Sequence, residues 1–155
     1  MSLQGDREIL IRRRFDAPPD IVFRAWTDPE LVKLWWAPQA LGVSMVSCDA
    51  DVRVGGRYRY VLESPDGGTI AFSGEYRAIE AAQRLVYTQV FEPMAHAGEA
   101  LIEVTFSGMP GQTFVVSLET YPSPEVRHMV VASGMEAGMR HTMDQLAALV
   151  SSLVS

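Results

Sequence analysis

The segment from Ser123 to Leu153 constrains this chain most. It carries Met135, Met139, Met143, Leu146, Leu149, Val150 and Leu153 at i, i+3, i+4 spacing, the signature of a helix with one apolar stripe. Ser123 suits the N-cap and Pro124 the first helical position. As one unbroken helix the segment would be roughly 45 Å long at 1.5 Å per residue, enough to cross a small domain. Such a stripe needs an apolar surface of similar length to cover it, and the preceding residues supply one.

From Gly42 to Tyr121 the pattern is one of strands and tight turns. "VSMVSC" reads as one strand. "GGRYRYVLES" places Tyr58, Tyr60 and Leu62 on one face and Arg57 and Arg59 on the other. After the turn signal "PDGG" comes "TIAFSGEYRAIE", with Ile70, Phe72, Gly74 and Tyr76 opposite Ser73, Glu75 and Arg77. "RLVYTQVF" lines up Leu85, Tyr87, Gln89 and Phe91, and "ALIEVTF" lines up Ile102, Val104 and Phe106. "TFVVSLETY", Thr113 to Tyr121, is apolar on both faces, so its inward side is open. Short connections between strands imply an antiparallel sheet.

Ahead of this region, "EILIRRRF" alternates Ile9, Ile11, Arg13 and Phe15 against Leu10, Arg12 and Arg14, a further strand. "DAPPD" ends it. "DIVFRAW" and "TDPELVKLWW" then read as two short helices in tandem, the second with Asp28 as N-cap and Pro29 at its first position. The expected fold is α+β: a curved antiparallel sheet around a long C-terminal helix, with two short helices after the first strand. A bent sheet and a straight helix fit imperfectly, so a cavity is expected between them. One domain covers residues 8–154, and residues 1–7 are expected as a flexible N-terminus whose Met-Ser-Leu looks like an expression scar.

Charge and cysteine content narrow the function classes. The net charge of −6 leaves no basic excess for phosphate contacts, so no nucleic-acid partner is expected. A single cysteine, Cys48, rules out an internal disulfide and fits a reducing compartment, and it reads as a small buried hydrophobe. No secretory signal or membrane-length apolar run is visible, so a cytoplasmic location without membrane insertion is expected. No metal-ligand spacing, phosphate loop or dinucleotide fingerprint occurs; no cofactor or metal is expected.

The segments "FDAPPDIVFRAWTDPELVKLWW", "DVRVGGRYRY", "GEYRAIEAAQRLVYT" and "GMEAGMRHTMDQLAAL", in this order from Phe15 to Leu149, resemble the SRPBCC (START-like, helix-grip) superfamily. Within it the chain resembles single-domain relatives of the activator of heat-shock protein 90 ATPase. Val54 departs from the proline often found before Gly55-Gly56, and Met139 from a tryptophan many relatives carry in the last helix. The resemblance implies a helix-grip fold whose cavity holds hydrophobic small molecules. It also implies two alternatives, a chaperone-contacting module and a small cyclase or hydrolase.

Candidate site residues follow from the pattern. Tyr58, Tyr60, Phe72, Tyr76, Tyr87, Phe91 and Phe106 share the presumed concave face, either as cavity walls with phenol anchors or as a filled core. Met135, Met139 and Met143 are an adaptable pocket wall or plain helix–sheet packing. His128, seven residues before Met135, is a ligand contact or general base, or else a surface histidine. Arg13 is a polar anchor paired with Glu136 or a ligand acid, or its stem packs while its head reaches water. Adjacent helical residues point about 100° apart, so Trp35 and Trp36 cannot share a partner. Trp35 fits the core with Leu31 and Leu34, and Trp36 fits the cavity mouth. The function expected is binding of a hydrophobic or amphipathic small molecule. The two-sided strand Thr113–Tyr121 is the candidate surface for a homodimer or a chaperone contact.

Overall fold

Alternating side chains and short turns make one sheet of the middle of the chain. In the computed structural model, which describes residues 1–154, eight strands run antiparallel in the order β1-β2-β8-β7-β6-β5-β4-β3. They are β1 (Ser2–Gln4), β2 (Glu8–Phe15), β3 (Ser44–Ala50), β4 (Arg57–Glu63), β5 (Thr69–Glu80), β6 (Arg84–Phe91), β7 (Ala100–Met109) and β8 (Gln112–Thr120). Strands β3 to β8 form a meander, and β2 joins its end by pairing with β8 from Glu8↔Thr120 to Phe15↔Thr113. That register decides the inward face of β8, which the sequence left open. Thr113, Val115 and Ser117 are buried and Glu119 lies on the same face, while Phe114 is exposed. Residues Ser2–Gln4 pair with Glu8–Leu10 at the edge of the sheet.

The sheet is curved and open. A glycine and a bulge account for part of the bend. A Cβ on Gly74 would lie 1.8 Å from the Thr88 carbonyl oxygen, so no larger residue fits there. The same carbonyl accepts a 2.6 Å hydrogen bond from the Tyr58 hydroxyl. Just beyond, the β5–β6 register shifts between Tyr76 and Ala78, a bulge that increases local twist.

Helices α1 (Pro19–Thr27) and α2 (Pro29–Trp35) follow β2. Asp28 starts α2, its Oδ1 accepting from the Glu30 amide at 3.0 Å. Val22, Phe23, Ala25 and Trp26 of α1 and Val32 and Trp35 of α2 are buried. They close one end of the sheet's concave side, where Phe23 and Trp26 meet Phe106 edge-on at 5.3 and 5.7 Å.

The C-terminal segment differs from the expected single helix. It forms α3 (Pro124–Ala132) and α4 (Met135–Val154), separated at Ser133-Gly134. Gly134 has φ +84°, a left-handed conformation that terminates a helix and that glycine adopts without steric cost. Ser123 caps α3 as expected, its Oγ accepting from the Val126 amide at 3.2 Å. Helix α4, about 30 Å long, buries Met143, Leu146 and Val150 against the main core. Helix α3 packs Val126, Val130 and Val131 on a second cluster built from Ile9, Ile11, Ala100 and Tyr121. Gln145 fixes α4 to the end of α2: its amide donates to the carbonyls of Trp35 and Ala37 at 3.1 and 2.8 Å and accepts from the Gln39 amide at 3.0 Å. No helix among the described residues is long and apolar enough to cross a membrane.

Candidate functional site

Two apolar clusters, one under α1, α2 and α4 and the other under α3, leave space where they meet. A cavity of about 420 Å³ lies between the sheet and the start of α4. A second of about 300 Å³ lies between α3, the ends of β6 and β7, and the helical turn Glu92–Ala97. They share Phe72, Gln89, Glu119, Ser133 and Met135, so the two form one bent cleft whose elbow is the α3–α4 break. Both volumes fall in or near the range of small-molecule pockets, roughly 300–1,000 Å³.

The structure brings many of the expected residues onto these walls. Arg13, Trp36, Phe72, Tyr87, Met135, Met139 and Met143 line the larger cavity. Phe72, Phe91 and Met135 line the smaller one. Trp36, the C-cap residue of α2, turns its ring into the wall and meets Tyr60 and Phe72 edge-on at 5.0 and 4.9 Å. Trp35 is buried, meets Trp26 edge-on at 5.0 Å, donates its indole N–H to the Ala25 carbonyl at 2.9 Å, and also reaches the wall of the larger cavity.

Other expected residues lie elsewhere. Tyr58, Tyr60 and Tyr76 pack with Tyr87 and Leu85 around a gap of only about 10 Å³, a filled aromatic core behind Trp36. Tyr58 meets Tyr60, Tyr76 and Tyr87 at ring distances of 4.8, 5.6 and 5.7 Å. Burial raises the Tyr58 and Tyr60 phenols far above their ordinary value, so both stay neutral. Phe106 sits beneath α1 rather than on a cavity wall. His128 is exposed on α3 and lines neither cavity, which leaves a general-base role there without geometry. Arg13 does lie on the inner face. Its Nη1 pairs with Asp144 at 2.8 Å, not with Glu136, which pairs with Arg140 instead. Burial also pushes the Cys48 thiol up to about 11, which keeps it protonated and a poor nucleophile.

Among the wall residues that the sequence reading did not single out are the polar Glu119, Gln89 and Ser117. Glu119 lies at the elbow, and its Oε1 accepts from the Tyr121 hydroxyl at 2.7 Å. Burial raises its carboxyl above the ordinary value, while the Tyr121 hydroxyl partly opposes that. Burial, then the neighbouring Glu119 charge, raises the Tyr121 phenol in turn. Among the described residues no three His, Cys, Asp or Glu side chains gather as metal ligands.

An eight-stranded antiparallel sheet closed by a C-terminal helix, with an apolar cleft between them, defines the α+β helix-grip class of the SRPBCC proteins. The chain belongs to the family described as "Activator of Hsp90 ATPase homolog 1-like protein", whose model matches residues 16–151. Among solved structures it is similar to a protein from Rhodobacter sphaeroides (TM-score 0.88, 26% identity, 97% of each chain covered). It is also similar to one from Mycobacterium smegmatis (TM-score 0.83, 25% identity, 94% of this chain and 91% of that one). An AHSA1-like protein from Aeromonas hydrophila shares the fold (TM-score 0.72, 23% identity, 94% and 93%). No curated protein matches it.

Proposed function

We propose that this protein binds a hydrophobic or amphipathic small molecule in the cleft between its sheet and its broken C-terminal helix. The observation that carries the reading is the cavity of about 420 Å³, walled mainly by aromatic, aliphatic and methionine side chains. Moving apolar ligand surface out of water into such a site is favourable by about 25 cal/mol per Å² before the costs of association. Met135 and Met139, flexible and partly buried, give the wall a shape that adapts to its occupant.

Native mass spectrometry of protein purified from its own cells tests this. A small molecule retained in stoichiometric amount, and absent from Met139→Trp, is the expected result, because the larger ring occupies the cavity. An empty wild-type protein overturns the reading. The family description and the exposed Phe114 on the outer face of β8 favour a second reading, a protein-contact module acting on a chaperone. An empty cavity together with a co-purifying chaperone would select it.

A further inference from the structure

We infer that the cleft takes an amphiphile whose polar end is a cationic amine, held at the elbow by Glu119 with Gln89 beside it. This rests on the small-molecule reading above and names the ligand class. Arg13 and Glu119 are the charged side chains on the larger cavity's wall, and Glu119 is the one on the smaller. Arg13 is already paired with Asp144. Glu119 has no ion pair among the described residues, and its single hydrogen bond uses Oε1. Among the described residues no buried side-chain oxygen lacks a partner, so Oε2 keeps accessible surface, and the spaces Glu119 lines are the two cavities.

The neighbouring amide strengthens the case. Gln89 lines both cavities, and no hydrogen bond of its side chain is present among the described residues. Across the sheet Gln89 pairs with Ala100 and Glu119 with Ile102, so the two polar groups flank β7 on its inner face. They are offset by two residues along β7, with Ala100, which faces Gln89, and Ile102, which faces Glu119, between them. The elbow therefore presents two unused acceptors, one of them a carboxylate, inside apolar walls. An ammonium donates to both and supplies the missing countercharge. A ligand carboxylate would set like charges together away from water, which is costly. Burial already disfavours the Glu119 carboxylate, and a cation within a few ångströms reverses that.

Calorimetric titration with three ligands sharing one apolar body tests the assignment: 1-naphthylmethylamine, 1-naphthalenemethanol and 1-naphthoate at neutral pH. Wild-type protein should bind the amine at least about tenfold more tightly than the alcohol or the acid, as expected for a charge-assisted hydrogen bond. Glu119→Gln, which can still accept from the Tyr121 hydroxyl, should erase that preference. Equal binding of amine and alcohol by the wild type, tighter binding of the acid, or an amine affinity indifferent to Glu119→Gln overturns the amine assignment while the cavity reading stands. Binding of none of the three overturns both. The wild-type ranking decides the question even where the variant is poorly folded.

Discussion

At the scale of single residues, Glu119 is the least comfortable group in the fold. Its carboxyl is partly buried, holds one hydrogen bond and has its pKa raised above the ordinary value by burial. An acid whose folded pKa lies above its unfolded value binds more protons when folded. The stability it contributes is present below the unfolded value of about 4.5 and is lost as pH rises through the folded pKa. Its titratable neighbours Tyr121 and Tyr87 are held neutral by burial, so they do not obscure the effect. Glu119→Gln should therefore stabilise the empty protein at neutral pH and flatten the fall in Tm above about pH 4.5; parallel melting curves of the two proteins across that range would show the carboxyl to be solvated. The sequence could not reveal this residue. Strand β8 is apolar on both faces, and only its pairing with β2 and β7 turns Glu119 inward. Tryptophans were more legible, because adjacent helical residues diverge by about 100°, and Trp35 is indeed buried in the main core while Trp36 is only partly buried against it. The tyrosines were legible as inward but not as filled: a small gap behind Trp36 and a large one before it share one alternation pattern.

At the scale of elements, strands and caps were readable because period-two alternation and Ser/Asp-Pro starts are local signals. The break between α3 and α4 was not, since apolar spacing continues across it from Val130 and Val131 to Met135. The signal that marks it is Ser133-Gly134 itself, a glycine following a helix end. The two glycines of this region give opposite expectations for the same substitution. Gly134 has φ +84°, and a Cβ added there would meet no atom within 4 Å, so Gly134→Ala encounters only backbone strain. It should destabilise the protein by about 1 kcal/mol. Gly138 lies inside α4, with Pro38 Cγ at 4.0 Å as its nearest neighbour. Gly138→Ala should stabilise by about 0.5–1 kcal/mol through helix propensity. Urea denaturation of both variants checks the pair, and equal signs would mean that the break at Gly134 is not kept in solution. The break also matters for the site, because Ser133 and Gly134 are themselves part of the cavity wall.

At the scale of the whole molecule, the break divides the helical cover into a fixed part and a light one. Helix α4 buries three side chains in the main core and is tied to α2 through Gln145. Helix α3 has no fully buried residue. Its main polar tie is Arg127, whose Nη1 donates to the carbonyls of Gln4, Gly5 and Glu8 at 3.2, 2.9 and 3.3 Å, joining α3 to the β1–β2 turn. Elements with few buried contacts open at lower free energy than the core that carries them. Opening of α3 would uncover the elbow with Glu119 and Gln89 without disturbing the sheet, a route for a ligand that buries nearly all its surface. Removing the tie in Arg127→Ala should weaken α3 by roughly 2 kcal/mol, a loss typical of charged hydrogen bonds. Amide exchange over residues 124–132 should then quicken at least about tenfold, while β4 to β7 and the buried turns of α4 keep their wild-type rates. Ligand bound at the elbow should slow the same amides in wild-type protein. If exchange in the sheet rises in step with α3, the helix opens only by global unfolding, and the ligand must enter past Trp36 and Pro38 at the other end of the larger cavity.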